Sequence, residues 1–310
     1  MTTNFDPKNP ALGGIRLVLG GNVFGWTADR DTSFAILDAF FDGGGRMVDT
    51  ADVYSAWVPG HKGGESETVL GHWMAARGTR AAMRIATKVN GANLAFGLAP
   101  ARIAAALEAS LARLQTDYVD LYYAHRDDTG TPLEEIAGAF DAQLRAGKVR
   151  ALGASNFTAE RLQAARAVAI AKGFMPYTVI QNEFNLLVRD QHEGAMCDLC
   201  VRDGVAALPY YGLAAGFLTG KYRTADDLSK SPRGQGAPRK HVEKNLAMLG
   251  RMDKIAAASG ASLPQIALAW ILAQPGISAP IASATSVAQV KELMGATKLA
   301  LSPEHLAALA

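Results

Sequence analysis

Four residues have types suited to moving a proton at an oxygen atom, and each falls at or just after the end of a strand-like run. Asp49 lies near the end of Arg46-Met-Val-Asp-Thr50, and Tyr54 follows shortly after it. Lys88 closes Met83-Arg-Ile-Ala-Thr-Lys88, and His125 closes Tyr118-Val-Asp-Leu-Tyr-Tyr-Ala-His125. Taken singly, each has a plain reading: a helix cap, packing, a solvated lysine, a core histidine. Together they suggest chemistry. Lys88 follows apolar residues in a strand that reads as buried, where an unpaired ammonium is costly, and Asp49 is its natural partner. A free phenol has a pKa of about 10, and a nearby cation favours the phenolate. Tyr54 is therefore expected to be tuned toward neutrality, able to give or take a proton at a carbonyl or alcohol oxygen. His125 would hydrogen-bond the same oxygen.

Such residues need a scaffold that gathers strand ends. Short apolar runs alternate with helical patterns along the whole chain. The strand candidates are 15–20, 46–50, 83–88, 118–125, 149–155, 178–181, 205–210 and 278–283. Helical patterns fall at 33–43, 65–76, 100–114, 131–146, 158–172, 190–203, 242–259 and 263–274, with 287–295 and 303–310 closing the chain. Strand–helix alternation implies right-handed parallel crossovers. Eight such units predict an α/β fold, a (β/α)8 TIM barrel forming a single domain over residues 1–310, with extra C-terminal helices. An open doubly wound sheet would carry a G-x-G-x-x-G turn, and neither Gly13-Gly14 nor Gly43-Gly44-Gly45 fits one. The irregular stretch from Tyr222 to Arg239 has the length of a lid or binding loop.

Composition narrows the classes further. With 49% hydrophobic residues and 19% charged ones, the 310 residues can bury a large core. A net charge of +2 provides no broad basic field for nucleic acid. Apolar runs are broken well before membrane-spanning length, and residues 1–10 lack the apolar core of a signal peptide. A cytoplasmic protein is expected, with neither a membrane nor a nucleic-acid partner. Cys197 and Cys200 form a C-x-x-C, but no second pair completes a zinc site, so no metal is expected. Their place on the apolar face of the 190–203 helix reads as structural. A metal-dependent hydrolase would need convergent ligands, and only Asp49 and His125 qualify.

The text around these residues resembles the aldo-keto reductase superfamily over nearly the whole chain. The matching segments include Met47-Val-Asp-Thr-Ala-Asp-Val-Tyr54, Gly64-Glu-Ser-Glu67, Ala86-Thr-Lys88 and Asp117-Tyr-Val-Asp-Leu-Tyr122 leading to His125. They continue with Gly147-Lys-Val-Arg150, Leu152-Gly-Ala-Ser-Asn-Phe157, Gln181-Asn-Glu-Phe-Asn185 and Gly216-Phe-Leu-Thr-Gly-Lys-Tyr222. The resemblance implies an NAD(P)(H)-dependent oxidoreductase interconverting a carbonyl (aldehyde, ketone or sugar) and an alcohol. Tyr54 would be the proton donor or acceptor, tuned by Lys88 and Asp49, and His125 would orient the carbonyl. Ser155, Asn156 and Gln181, with Asp49 beside them, would hold the nicotinamide carboxamide, and Tyr210 would stack on its ring. Gly212, Leu213, Gly216, Leu218, Gly220 and Lys221 would approach the pyrophosphate. Ser283, Thr285 and Gln289 would take the adenosine phosphate end.

Departures from the family's pattern fall mainly at that end. Tyr210-Tyr-Gly-Leu213 stands where many relatives have Tyr-Ser-Pro-Leu, Thr285 where an Arg often falls, and Leu293 in place of an adenine-contacting Asn. Arg233, Arg239 and Lys291 are candidates for the missing cation. NADP is the expected cofactor, with NAD possible. Phe24, Trp26, Trp57 and Val58, with Tyr211, are expected to wall the substrate pocket, beside His125 and Arg126. A neutral small-molecule carbonyl or alcohol is expected. The alternative function is a cofactor-sensing regulatory subunit on the same barrel with little turnover.

Overall fold

The computed structural model describes residues 12, 14–91, 97–224, 226–230 and 243–310. Eight short strands carry the architecture: β1 (Val18–Gly20), β2 (Met47–Asp49), β3 (Arg84–Val89), β4 (Leu121–Ala124), β5 (Leu152–Ser155), β6 (Val179–Gln181), β7 (Ala206–Ala207) and β8 (Ile281–Ala282). Between them run α1 (Arg30–Asp42), α2 (Glu65–Arg77), α3 (Pro100–Leu114), α4 (Leu133–Arg145), α5 (Ala159–Ala171), α6 (Ala195–Asp203), α7 (Glu243–Ser259) and α8 (Leu263–Leu272). After β8 come α9 (Val287–Gly295) and α10 (Pro303–Ala308).

Every strand pair is parallel, in the order β7-β6-β5-β4-β3-β2-β1-β8. The ends of that order meet through the backbone. Ser278 N–H donates to the Ala207 carbonyl (2.9 Å) and Ile281 N–H to the Pro209 carbonyl (2.8 Å), closing the ring. This is the (β/α)8 barrel expected from the alternation. The strands at the closure are shorter than their apolar runs because Pro209 and Pro280 have no N–H to donate to a ladder.

Helix starts follow local chemistry. Asp29 caps α1 by accepting from Thr32 N–H, and Thr158 caps α5 by accepting from Arg161 N–H. At the start of α8, Gln265 Oε1 accepts from Ser262 N–H at 3.1 Å. The helix expected from residue 190 begins only at Ala195, after Gly194, whose φ of 79° and ψ of −130° no helix accommodates. Met196, Leu199 and Cys200 are its buried face, as anticipated. Burial pushes the Cys200 thiol up to about 12 and raises that of Cys197, so neither is a thiolate at neutral pH. Much of the irregular 222–239 stretch, including Arg233 and Arg239, lies outside the described residues.

The period-two rule of strands sorts the barrel interior. Met47, Ala86, Leu121, Tyr123, Val179, Ala206, Leu208 and Ile281 share one buried cluster that fills the bore, and Leu12 and Ile15 join it. The outward-facing strand residues, such as Val48, Ile85, Tyr122 and Ile180, join the larger cluster beneath the helices.

Candidate active site

Two residues beyond each bore-filling side chain, the same alternation points inward again, now at the C-terminal mouth. Asp49 stands above Met47, Lys88 above Ala86, His125 above Tyr123, Gln181 above Val179, Tyr210 above Leu208 and Ser283 above Ile281. Ser155 stands above Gly153, where a Cβ would meet the Tyr123 ring at 2.5 Å. The barrel thus collects polar residues from distant parts of the chain into one ring above an apolar plug.

Lys88 is fully buried, and its Nζ donates to three oxygens: Asp49 Oδ2 at 2.5 Å, the Thr50 carbonyl at 2.8 Å and Tyr54 Oη at 3.2 Å. Burial pulls the ammonium's pKa down, but Asp49 and Tyr54 outweigh it and hold Lys88 above the ordinary lysine range. The other Asp49 oxygen, Oδ1, accepts from Gln181 Nε2 at 2.9 Å. The expectation that Lys88 tunes Tyr54 toward neutrality needs correction. Desolvation is the larger influence, and the phenol sits above its ordinary value despite the adjacent ammonium. The phenol is thereby held in its protonated form.

The His125 ring meets Tyr54 edge-on, with centroids 6.0 Å apart. Burial first, then the charges of Lys88 and Arg126, hold His125 well below the ordinary histidine value. A neutral imidazole therefore stands beside the phenol, and its buried Nδ1 has no partner among the described residues. Around it, Asn156 Nδ2 donates to the His125 carbonyl (2.9 Å), and Tyr210 Oη donates to Asn156 Oδ1 (2.7 Å). Ser155 Oγ donates to the Gln181 carbonyl at 2.7 Å.

The loop carrying Tyr54 is fastened by residues to which sequence reasoning assigned no role. The Glu65 carboxylate accepts from the N–H groups of Ser55 (3.1 Å), Lys62 (2.8 Å) and Gly63 (3.0 Å). Ser66 Oγ accepts from Thr50 Oγ1 and donates to the Gly21 carbonyl, both at 2.8 Å. The signal was present: an acid in the first turn of a helix, just after a glycine pair, is placed to accept from preceding amides.

A cleft of about 1180 Å³ opens over this ring and runs from Trp26 to Glu292. Asp49, Tyr54, His125, Ser155, Asn156 and Gln181 line it, while Lys88 touches Tyr54 from behind. Tyr210, Gly212, Leu213, Gly216 and Lys221 extend the wall, and Ser283, Thr285 and Gln289 close its far end. Trp26, Trp57 and Arg126 also border it. Phe24 does not: it is fully buried in the core beneath the β1 loop. Leu218 is likewise buried, and Gly220, which ends the turn, Val58 and the exposed Lys291 lie off the cleft. Asn22, which accepts from Ser283 Oγ at 2.5 Å, and Ser262–Pro264 at the start of α8 line it unforeseen.

The aldo/keto reductase family model matches residues 16–310. This chain belongs to the aldo/keto reductase family. Among its relatives, the oxidoreductase YrpG of Bacillus subtilis is 35% identical over 301 residues, covering 94% of this chain and 90% of that protein. The aldo-keto reductase yakc [NADP(+)] of Schizosaccharomyces pombe is 32% identical, covering 89% and 80%. The aryl-alcohol dehydrogenase [NADP(+)] of Phanerodontia chrysosporium is 29% identical, covering 90% and 75%. The site of this aldo/keto reductase suits a nicotinamide dinucleotide. An amide requires donors and acceptors together, which Ser155, Asn156 and Gln181 present. Gly216, at φ 91°, follows Ala214 and Ala215, also at positive φ, and this sharp turn keeps the backbone bare along the cleft.

Proposed function

We propose that the protein interconverts a carbonyl compound and an alcohol with NADP(H), Tyr54 serving as the acid in reduction and the base in oxidation. The observation that carries this reading is the Lys88 Nζ shared between the Asp49 carboxylate and the Tyr54 hydroxyl. As Tyr54 gives its proton to a substrate oxygen, the phenolate left behind faces an ammonium already in place, so no charge needs to be brought in. The neutral His125 imidazole donates a hydrogen bond to the same oxygen and restricts its approach to the Tyr54 side.

The dinucleotide supplies or accepts the hydride. Ser155, Asn156 and Gln181 would hold its carboxamide, and Tyr210 would lie against the ring. Lys221 and the bare turn at Gly216 would meet the pyrophosphate, with Thr285 and Gln289 at the adenosine end. Thr285 already donates through both N–H and Oγ1 to Gln289 Oε1, at 2.8 and 3.1 Å, so this pair is held in place. NADP(H) is favoured over NAD(H) by the NADP(+) in the names of two relatives. The two free thiols are in keeping with a reducing, cytoplasmic setting.

Tyr54→Phe tests the assignment. It should lower kcat/KM for carbonyl reduction by roughly three orders of magnitude or more, while NADPH affinity, read by fluorescence titration, stays within about threefold. Near-normal turnover of this variant would overturn the tetrad.

A further inference from the structure

The residues lining the cleft include four with formal charge: Asp49, Arg126, Lys221 and Glu292. Asp49 is committed to Lys88 and Gln181. Lys221 lies against Gly216 in the turn after β7. Arg126 is different. It follows His125 directly, and its charge is felt by both His125 and Tyr210. Its backbone is pinned, because its carbonyl accepts from Asn90 Nδ2 at 3.1 Å. Its guanidinium makes no hydrogen bond or ion pair with any described residue.

The neighbouring acids do not neutralise it. Asp127 takes both of its oxygens to Arg161 Nε at 2.9 Å. Asp128 accepts from the N–H groups of Leu98 and Gly130 and from Thr131 Oγ1. Elsewhere the chain pairs its arginines readily, as with Arg77 and Asp38, Arg113 and Glu67, or Arg223 and Asp253. An exposed guanidinium left free at the mouth of a cleft presents a planar fork of donors matched to a carboxylate.

The rest of this end of the cleft is aromatic. Trp26 meets Trp57 edge-on at 5.6 Å, and Trp57 meets Tyr54 at 5.7 Å, so a run of rings leads from the catalytic phenol outward. Trp57 and Tyr211 remain 39% and 47% exposed. Large apolar faces open to solvent beside a reactive group suit a flat partner ring.

We propose that the substrate is an aromatic aldehyde or ketone bearing a carboxylate, its ring against Trp57 and its carboxylate paired with Arg126. This replaces the neutral carbonyl expected from the sequence, and it rests on the reductase reading above. A single guanidinium among rings fits a carboxylate; a phosphate would call for more positive charge than this end holds among the described residues.

The test uses the intact protein with NADPH, then NADH. The three formylbenzoates, benzaldehyde, methyl 4-formylbenzoate and butanal are compared. At least one formylbenzoate should exceed benzaldehyde and the methyl ester in kcat/KM by roughly tenfold or more, chiefly through KM. Arg126→Gln should bring that ratio near one, and Arg126→Lys should restore only part of it. Turnover of benzaldehyde with no preference for any formylbenzoate overturns the proposal and leaves the reductase reading standing. A preference that survives Arg126→Gln overturns the role of Arg126. No turnover of any member with either cofactor overturns both readings.

Discussion

Asp52 lies between Asp49 and Tyr54 in sequence, yet its carboxyl belongs to other surroundings. It is buried, one of its oxygens has no partner among the described residues, and Glu67 of α2 lies close by. Arg102 and Arg113 of α3 face the same pocket, and the Tyr122 hydroxyl of β4 is near enough to feel the charge. Desolvation and the Glu67 charge together push Asp52 up to about 7, more than the two arginines can offset. In the unfolded chain an aspartate titrates near 3.9. Between those values the unfolded state has released a proton that the native state keeps, so native stability falls as pH rises through this window and levels off above about 7. Asn at this position would not titrate. Asp52→Asn should therefore gain on the parent protein progressively from pH 4 to pH 7, by roughly 2–4 kcal/mol over the interval. Urea midpoints measured at several pH values check this. A difference that stays constant with pH would show that Asp52 does not carry the buried proton.

At the scale of the strands, most of the fold and the gathering of strand-end residues at one mouth could be read from residue order alone, for a definite reason. In a barrel, the alternation that fills the bore also aims the strand-end residue into the mouth, so Asp49, Lys88, His125 and Gln181 follow from the runs that precede them. Loops have no such period. Phe24 and Trp26 are both aromatic and close in sequence, but the turn at Gly21–Gly25 sends one into the core and the other to the cleft. Asn22, Glu65 and the start of α8 carry no such periodic signal, because their contacts depend on which loops the ring closure brings together. The same packing makes glycine positions predictive. Gly153 leaves room for the Tyr123 ring inside the bore, and Gly71 of α2 lies where a Cβ would come within 2.2 Å of the Arg113 carbonyl of α3. The Tyr123 ring is itself enclosed, and the Arg113 carbonyl is backbone, so neither yields easily. Gly153→Ala and Gly71→Ala should each cost roughly 2–4 kcal/mol by overpacking. Chemical denaturation with an unchanged slope would confirm the mechanism, and a loss below about 0.5 kcal/mol at either site would contradict it.

Across the whole molecule, the cleft joins parts of the chain that are far apart in sequence. Its walls come from the β1 and β2 loops, the ends of β4 to β6, the turn after β7 and the starts of α8 and α9. The barrel closes between β7 and β8 through a few backbone hydrogen bonds, and the proposed dinucleotide would lie across that same seam, from Gln181 and Tyr210 to Thr285 and Gln289. Such a ligand binds only the closed ring, because the unfolded chain assembles none of these contacts. Binding must then raise stability by RT ln(1 + [L]/Kd), about 2.7 kcal/mol at a concentration one hundred times Kd. For a chain of this size, that corresponds to an upward shift in Tm of roughly 4 °C. NADPH should produce it, and Tyr54→Phe should keep it, since the phenol acts on the substrate oxygen. Gln289→Ala should reduce it by weakening the adenosine end, where Thr285 would also lose its hydrogen-bond partner. Differential scanning calorimetry over a range of NADPH concentrations measures the shift. A Tm independent of NADPH and of NADH would remove the dinucleotide from the cleft altogether, whatever the tetrad does.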